Sequence, residues 1–141
     1  MAFPLPDIEA PETREFWAAA ADGRLVIPRC SGCGVWNWYP AKTCTDCQSD
    51  DMPWTDTSGR ASLFSWAVVG HRLLGAYQPM LPYTTGIVAL EEDQAVRIVT
   101  TIVDADPARL EMDMPMRVVF RPLAIEGADP GLLAPMFTPA L

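Results

Sequence analysis

Four cysteines are the residues of this chain whose type and spacing most directly indicate chemistry. They form two C-x-x-C pairs, Cys30 with Cys33 and Cys44 with Cys47, and ten residues separate the pairs. A C-x-x-C turn directs two thiolates at one metal ion, and a second such turn completes a closed tetrahedral shell of sulfur. A closed shell leaves no position for a substrate. The spacing therefore predicts a zinc ribbon that holds one structural Zn²⁺.

Other uses of the four thiols fit the sequence less well. A thioredoxin-like redox site needs one C-x-x-C pair at a strand-to-helix junction, and this chain has two pairs. Two disulfides would suit a secreted protein, but residues 1–25 show no basic start followed by an apolar stretch. We therefore expect reduced thiols and a cytoplasmic protein. Iron in the same shell stays open as an alternative, because sulfur ligands alone do not separate the two metals.

The remaining residues offer little for catalysis by this chain. With every cysteine committed to metal, thiolase-type or Ser-His-Asp chemistry would depend on His71, the one histidine, while a paired-carboxylate mechanism stays open among the 18 acidic residues. The sequence has no G-x-S-x-G element that would present a reactive serine. We predict no catalytic residues here.

The net charge of −8 argues against nucleic acid as a partner. A nucleic-acid binder gains most of its affinity by neutralising phosphates with lysine and arginine. This chain has one lysine, Lys42, and nine scattered arginines. No apolar run approaches the roughly 20 residues that span a bilayer. We expect a soluble protein with neither a membrane nor a nucleic-acid partner.

The elements that must position the cysteines come first along the chain. Residues 1–23 are interpreted as an extended, proline-containing arm followed by a helix over Glu12 to Ala21, with acidic residues at the positive end of its dipole. The apolar stretch 24–29 is predicted as a strand that leads to the first cysteine. We assign residues 24–56 to a rubredoxin-like zinc ribbon.

Large aromatic residues are concentrated around this ribbon. Trp36, Trp38 and Tyr39 lie between the cysteine pairs, and Phe16 and Trp17 are the apolar anchors of the predicted helix. Ten residues cannot bury three large rings, so at least one ring should pack on the neighbouring domain or on a partner. We interpret all five as candidate partner-contact residues.

The rest of the chain, residues 57–141, is predicted to be an OB-fold domain with a C-terminal tail, which makes the fold mainly β. Strand patterns occur at 61–69, 85–90, 95–103 and 116–121. An acidic turn joins the second and third as a hairpin, and a five-stranded OB-type barrel is expected over residues 57–124. The loop 70–82 is longer than an ordinary hairpin connection, and long loops on barrels often carry function.

The order of these parts resembles one protein family. The segments that show the resemblance are Gly23-Arg-Leu-Val-Ile-Pro-Arg-Cys30, an aromatic-proline segment, the second cysteine pair, and Ser58-Gly-Arg-Ala61 before Leu63-Phe-Ser-Trp66. In the C-terminal half, Pro82-Tyr83 and Met114-Pro-Met-Arg-Val-Val-Phe120 fit as well. Together they are similar to the rubredoxin-like zinc ribbons fused to an acyl-CoA-associated OB-fold, long classed as a domain of unknown function.

Three positions depart from that family pattern. Asp113 stands where the family usually has glycine before Met-Pro-Val, and Met116 replaces the valine. Gln48 follows the second cysteine pair where glycine is usual, and glycine adopts a positive φ more easily than glutamine.

The resemblance implies a partner subunit. Family members resemble obligate companions of thiolase-fold aldolases and thiolases, for example in retro-aldol cleavage of steroid side-chain CoA thioesters, so a hetero-oligomer is expected. In such a complex the OB domain would lie near the partner's active site and help bind or enclose the acyl-CoA. Guanidinium groups suit CoA phosphates, so Arg60 and Arg72, with His71, are candidates near CoA or substrate.

Two alternatives to a partner subunit remain. One is a free-standing module that binds acyl-CoA or another small ligand. The other is an OB-type binder of single-stranded nucleic acid, which the acidic charge argues against.

Overall fold

The computed structural model describes residues 5–71, 81–123, 125 and 127–140. Within these ranges the chain forms one α-helix, seven β-strands and a 3-10 turn. Their bounds are α1 Arg14–Ala21, β1 Val26–Pro28, β2 Trp54–Asp56, β3 Arg60–Val69, β4 Tyr83–Leu90, β5 Arg97–Ile102, the 3-10 turn Pro107–Arg109, β6 Pro115–Pro122 and β7 Leu133–Pro139. No helix in these ranges has the length and apolar character needed to cross a membrane.

Five of the strands close into a barrel in the order β3-β4-β5-β7-β6, and β6 pairs back onto β3. Neighbouring strands are antiparallel except β5 and β7, which run parallel and share the single pair Ile102 and Phe137. Five strands with this Greek-key order form an OB-fold. The predicted fold, mainly β with an N-terminal helix and a five-stranded barrel, is confirmed.

The hairpin of β4 and β5 follows the predicted pattern. The two strands pair from Thr84 with Ile102 to Ala89 with Arg97. At the turn, Gln94 Nε2 donates to the carbonyl of Leu90 at 2.8 Å. This side-chain hydrogen bond fixes the point at which the chain reverses, and it therefore helps to set the register of the hairpin.

The strand β7 corrects the prediction that the barrel ends near residue 124 and that a tail follows. β7 pairs with β6 through seven residue pairs and completes the barrel. Its two prolines argue against a strand in the sequence, because proline cannot donate to a ladder. The prolines are tolerated because Pro135, Phe137 and Pro139, which alternate along β7, direct their main-chain groups away from β6. On that side the carbonyl of Pro135 accepts from Thr100 Oγ1, and the carbonyl of Phe137 accepts from the amide of Val103. The short β2, paired with β1, was not predicted either.

One hydrophobic core joins the helix, the ribbon and the barrel. Inside the barrel, the side chains with no exposed surface are Leu63, Val88, Leu90, Met116 and Phe137. Phe16 of the helix and Leu25 and Ile27 beside the first cysteine pair belong to the same buried cluster. The ribbon is therefore packed on the barrel through shared apolar side chains.

An ion pair lies at the end of β5 and ties it to β6. Arg121 Nη1 donates to Asp104 Oδ1 at 3.1 Å, and Nη2 donates to Oδ2. These hydrogen bonds from Arg121 lower the pKa of the Asp104 carboxyl below its ordinary value.

Acidification tests this ion pair. Because the folded state has the lower carboxyl pKa, the stabilisation is complete above the unfolded pKa of about 4. It should be lost as the pH falls through the folded value. Urea unfolding between pH 7 and pH 3 should show this acid-dependent loss in the native chain and a smaller loss in Asp104→Asn. Identical pH profiles for the two proteins would contradict the assignment.

Candidate functional site

Two similar turns build the metal centre. In the first, the amide of Gly34 donates to the carbonyl of Cys30 at 2.8 Å, and in the second, the amide of Gln48 donates to the carbonyl of Cys44 at 3.0 Å. Both donor residues have a positive φ, 77° for Gly34 and 64° for Gln48. The residue after each cysteine pair therefore occupies the same left-handed position in the two turns.

The four cysteine sulfurs converge as a metal site requires. All four Sγ atoms lie within 4.8 Å of one another. Cys30 Sγ is 3.5 Å from Cys47 Sγ, and Cys33 Sγ is 3.6 Å from Cys44 Sγ. A tetrahedron with Zn–S bonds of about 2.3 Å has sulfur–sulfur edges of about 3.8 Å, whereas a disulfide bond is about 2.05 Å long. The cluster fits one structural zinc, as predicted.

Polar groups around Cys44 favour its thiolate form, which is the form that binds metal. Hydrogen bonds from the amides of Cys47 and Asp46 and from the Asn37 side chain lower the pKa of the Cys44 thiol to about 6. Asn37 is buried, donates Nδ2 to Cys44 Sγ at 3.5 Å, and accepts from the amide and hydroxyl of Thr45 through Oδ1. Such contacts orient metal ligands. Sequence reasoning did not find Asn37. The signal that could have identified it is a polar residue among large aromatic residues.

The position of Gln48 gives a prediction about stability. A non-glycine residue in the left-handed region is strained by about 1–2 kcal/mol, and glycine carries no such strain but has more unfolded-state freedom to lose. We expect Gln48→Gly to raise the unfolding free energy of the zinc-loaded chain by about 0.5–1 kcal/mol. Gln48→Ala keeps the strain and should give no gain. Urea unfolding of both variants checks this, and equal stabilities would contradict it.

The aromatic residues form a cluster between the helix and the ribbon. The ring of Phe16 lies 5.3 Å from Trp17, 5.4 Å from Trp38 and 6.3 Å from Trp54, measured between ring centroids. Phe16 is buried, whereas Tyr39, next to Trp38, is 69% exposed. Of the five predicted partner-contact residues, Tyr39 is therefore the most accessible.

The fifth aromatic residue, Trp36, lies apart from this ring cluster. It packs under the guanidinium of Arg29, which is 4.9 Å from the ring centroid. Trp36 is partly buried against the core.

The candidate CoA-proximal residues do not come together. Arg60 begins β3 and pairs with Glu91 at 3.2 Å. His71 is exposed and follows the other end of the strand. The ten residues of β3 separate the two positions. Arg72 lies outside the described residues.

An open cleft of about 870 Å³ lies between the helix, the ribbon and the barrel. One wall contains residues of the N-terminal segment and α1 together with Trp38 and Tyr39. The opposite wall contains residues of β4, β5 and β7, among them Tyr83 and Val99. Sequence reasoning did not find this cleft, because its walls come from segments that are distant along the chain.

The fold and the metal site together define a zinc-ribbon and OB-fold protein. Residues 17–53 match the family described as the ChsH2 rubredoxin-like zinc ribbon domain, and residues 54–121 match the ChsH2 C-terminal OB-fold domain. A solved structure described as an Ltp2-ChsH2(DUF35) aldolase is similar with a TM-score of 0.81 and 31% identity, covering 97% of this chain and 100% of that chain. The chain belongs to the ChsH2 (DUF35) family.

Further relatives extend the comparison. A probable enoyl-CoA hydratase alpha subunit of Thermomonospora curvata is 35% identical over 127 residues, which are 89% of this chain and 37% of that protein. A DUF35 domain-containing scaffold protein of Methanocaldococcus jannaschii is 28% identical, over 74% of this chain and 73% of that one. A DUF35 structure from Sulfolobus solfataricus, with 10% identity and a TM-score of 0.60, shares the fold. The chain thus spans a little over a third of the hydratase subunit.

Proposed function

We propose that this chain is a non-catalytic partner subunit of a thiolase-fold aldolase or thiolase that acts on CoA thioesters. The observation that carries the proposal is the likeness along nearly the whole chain to the Ltp2-ChsH2(DUF35) aldolase structure. Retro-aldol cleavage of a steroid side-chain acyl-CoA is the reaction we favour. The subunit would stabilise its partner and help to bind or enclose the acyl-CoA.

The placement of reactive groups supports a non-catalytic role. Thiolase-type chemistry needs a cysteine nucleophile with a histidine in reach. The four thiols lie in one metal cluster, and His71 is exposed beyond the far end of β3. The described residues therefore bring no cysteine and histidine together outside the metal site, and the catalytic pair would belong to the partner.

Tyr39 is the centre of the proposed partner surface. Its exposed ring lies 5.3 Å from Trp38, which packs on Phe16, so the ring is presented on a rigid base. Trp17 is partly buried and would contribute the edge of the same surface, whereas Trp36, partly buried under Arg29, lies apart from it. Exposed aromatic side chains on rigid supports are typical interface hot spots.

Co-purification with candidate thiolase-fold proteins from the same gene cluster tests this function. We expect a stable complex, and we expect Tyr39→Asp to weaken it about tenfold or more. Met112→Asp is the matched control, because Met112 is 68% exposed and lies in a different part of the chain. A chain that stays monomeric, does not co-purify and does not alter the activity of the partner would refute the proposal.

Of the two arginines predicted near CoA phosphates, Arg60 is the one among the described residues. Its Cα partner across the strands is Arg117, so two guanidinium groups share one outer face of the barrel. We expect Arg60→Gln to weaken the binding of a CoA ester to the complex about threefold to tenfold, and less so at high salt. Arg24→Gln, which removes an ion pair to Asp56, is the control. Equal effects of the two variants on CoA-ester binding in calorimetry would exclude Arg60 as a contact to the CoA phosphates.

A free-standing small-ligand binding module is the second candidate function, and the cleft is the observation that favours it. Calorimetry of the isolated chain with CoA esters separates the two candidates. Tight binding without any partner would favour the module.

A further inference from the structure

We propose that the cleft between the helix and the barrel binds an uncharged apolar group and excludes the phosphates of CoA. Under the proposed function, on which this identification rests, the group would be the acyl part of the thioester. The nucleotide part would then lie outside the cleft.

The size and shape of the cleft suit a small molecule. Its volume of about 870 Å³ is within the range of about 300–1,000 Å³ that small-molecule sites occupy. On the barrel side, Thr85 of β4 and Val99 of β5 face the rings of α1 and the ribbon across the opening. Val99 is 74% exposed, which is unusual for a β-branched apolar side chain on an ordered strand. A ligand in the cleft would cover it.

The cleft lies beside the incompletely paired part of the barrel. β5 meets β7 through one residue pair, Ile102 with Phe137, and the hydroxyl of Thr100 bridges to the carbonyl of Pro135 at 3.3 Å. The barrel is closed at this point, but the main-chain pairing between the two strands beside the cleft is sparse.

The charges at the cleft decide the class of ligand. Among the described lining residues, the charged ones are Asp7 and Glu12, and none is a lysine or an arginine. Two carboxylates repel the phosphates of a nucleotide, and no cation among the described lining residues offsets them. Thr13 can offer its hydroxyl group to a neutral polar atom of the ligand, and the Thr85 hydroxyl, which donates to the carbonyl of Thr100 at 3.4 Å, can accept from one. A neutral apolar group fits this lining, whereas an anionic one does not.

The ring cluster indicates that the cleft is preformed. Phe16 contacts both Trp17 and Trp38, so the rings that line the wall are fixed by one another. A rigid wall lowers the entropy lost when a ligand binds. A docking partner would instead meet Tyr39, which lies at the exposed edge of the wall.

Two pyrene derivatives test the selectivity in the isolated, zinc-loaded chain. 1-Pyrenebutanol and 1-pyrenebutyrate share one ring system and differ in charge at neutral pH. Trp17 and Trp38 line the cleft, so bound pyrene should quench tryptophan fluorescence. We expect saturable binding of the alcohol and binding of the carboxylate that is about fivefold weaker or more. Equal affinities, or no saturable binding of the alcohol, would overturn the proposal.

Two valine variants locate the binding. Val99→Lys places a cation in the cleft and should weaken 1-pyrenebutanol about tenfold while it reduces the discrimination against 1-pyrenebutyrate. Val68→Lys is the matched control, because Val68 is 51% exposed and does not line the cleft. Equal binding by the two variants would overturn the proposal. So would a Val99→Lys chain that keeps probe binding but no longer co-purifies with the thiolase-fold protein, since the cleft would then be a docking surface.

The outcomes separate this proposal from the proposed function. Selective probe binding by a chain that forms no complex would support the cleft and refute the partner role. A stable complex formed by a chain without probe binding would refute the cleft alone.

Discussion

Replacing Cys44 with serine is expected to release zinc and to unfold the chain. Cys44 is 1% exposed and receives hydrogen bonds from Asn37 and the amide of Asp46. Structural zinc contributes on the order of 10–16 kcal/mol in small zinc domains, which exceeds or matches the entire stability of most domains, about 5–15 kcal/mol. Native mass spectrometry should show one zinc per native chain and none in the variant.

The loss of folded structure should spread from the ribbon to the barrel. Phe16, Leu25 and Ile27 connect the two parts through one core, so near-ultraviolet circular dichroism and the urea transition should be lost together. Ser31→Ala is the control, because Ser31 is exposed in the first turn and is not a ligand. A folded, metal-free Cys44→Ser chain of native stability would show that the ribbon is dispensable.

The metal site could be predicted from sequence because its chemistry is local. Two short turns and four thiols define it, and nothing distant along the chain is needed. The backbone conformation of Gln48 is local in the same way. Gln48 stands where the family usually has glycine, and it adopts a positive φ. Asp113, the other such departure, also has a positive φ, 65°. In both turns the backbone geometry is kept although the glycine is absent.

The parts that sequence reasoning missed depend on distant contacts. β7 contains two prolines and becomes a strand only because β6 supplies its pairing and β5 leaves its other side nearly free. The cleft combines residues from Pro6 to Met136. Periodicity along one segment carries no information about such contacts. Conversely, Arg60 and His71 are near in sequence and lie at opposite ends of β3.

Replacing Phe137 with alanine is expected to destabilise the zinc-loaded chain by about 3–5 kcal/mol. Phe137 has no exposed surface and lies in the core of the barrel. Its carbonyl accepts from the amide of Val103, and its Cα partners are Val118 on β6 and Ile102 on β5. The truncation therefore leaves a cavity where β5 and β7 meet. Urea unfolding measures the change in free energy.

Phe64→Ala is the matched control for this core substitution. Phe64 is 38% exposed on β3, and its ring packs under the guanidinium of Arg97 at 4.0 Å. Losing that contact should cost about 1 kcal/mol or less. Hydrogen exchange should also accelerate at the Val103 amide in Phe137→Ala, while the β4 and β5 ladder stays protected. Equal losses of stability in the two variants would mean that β7 does not close the core.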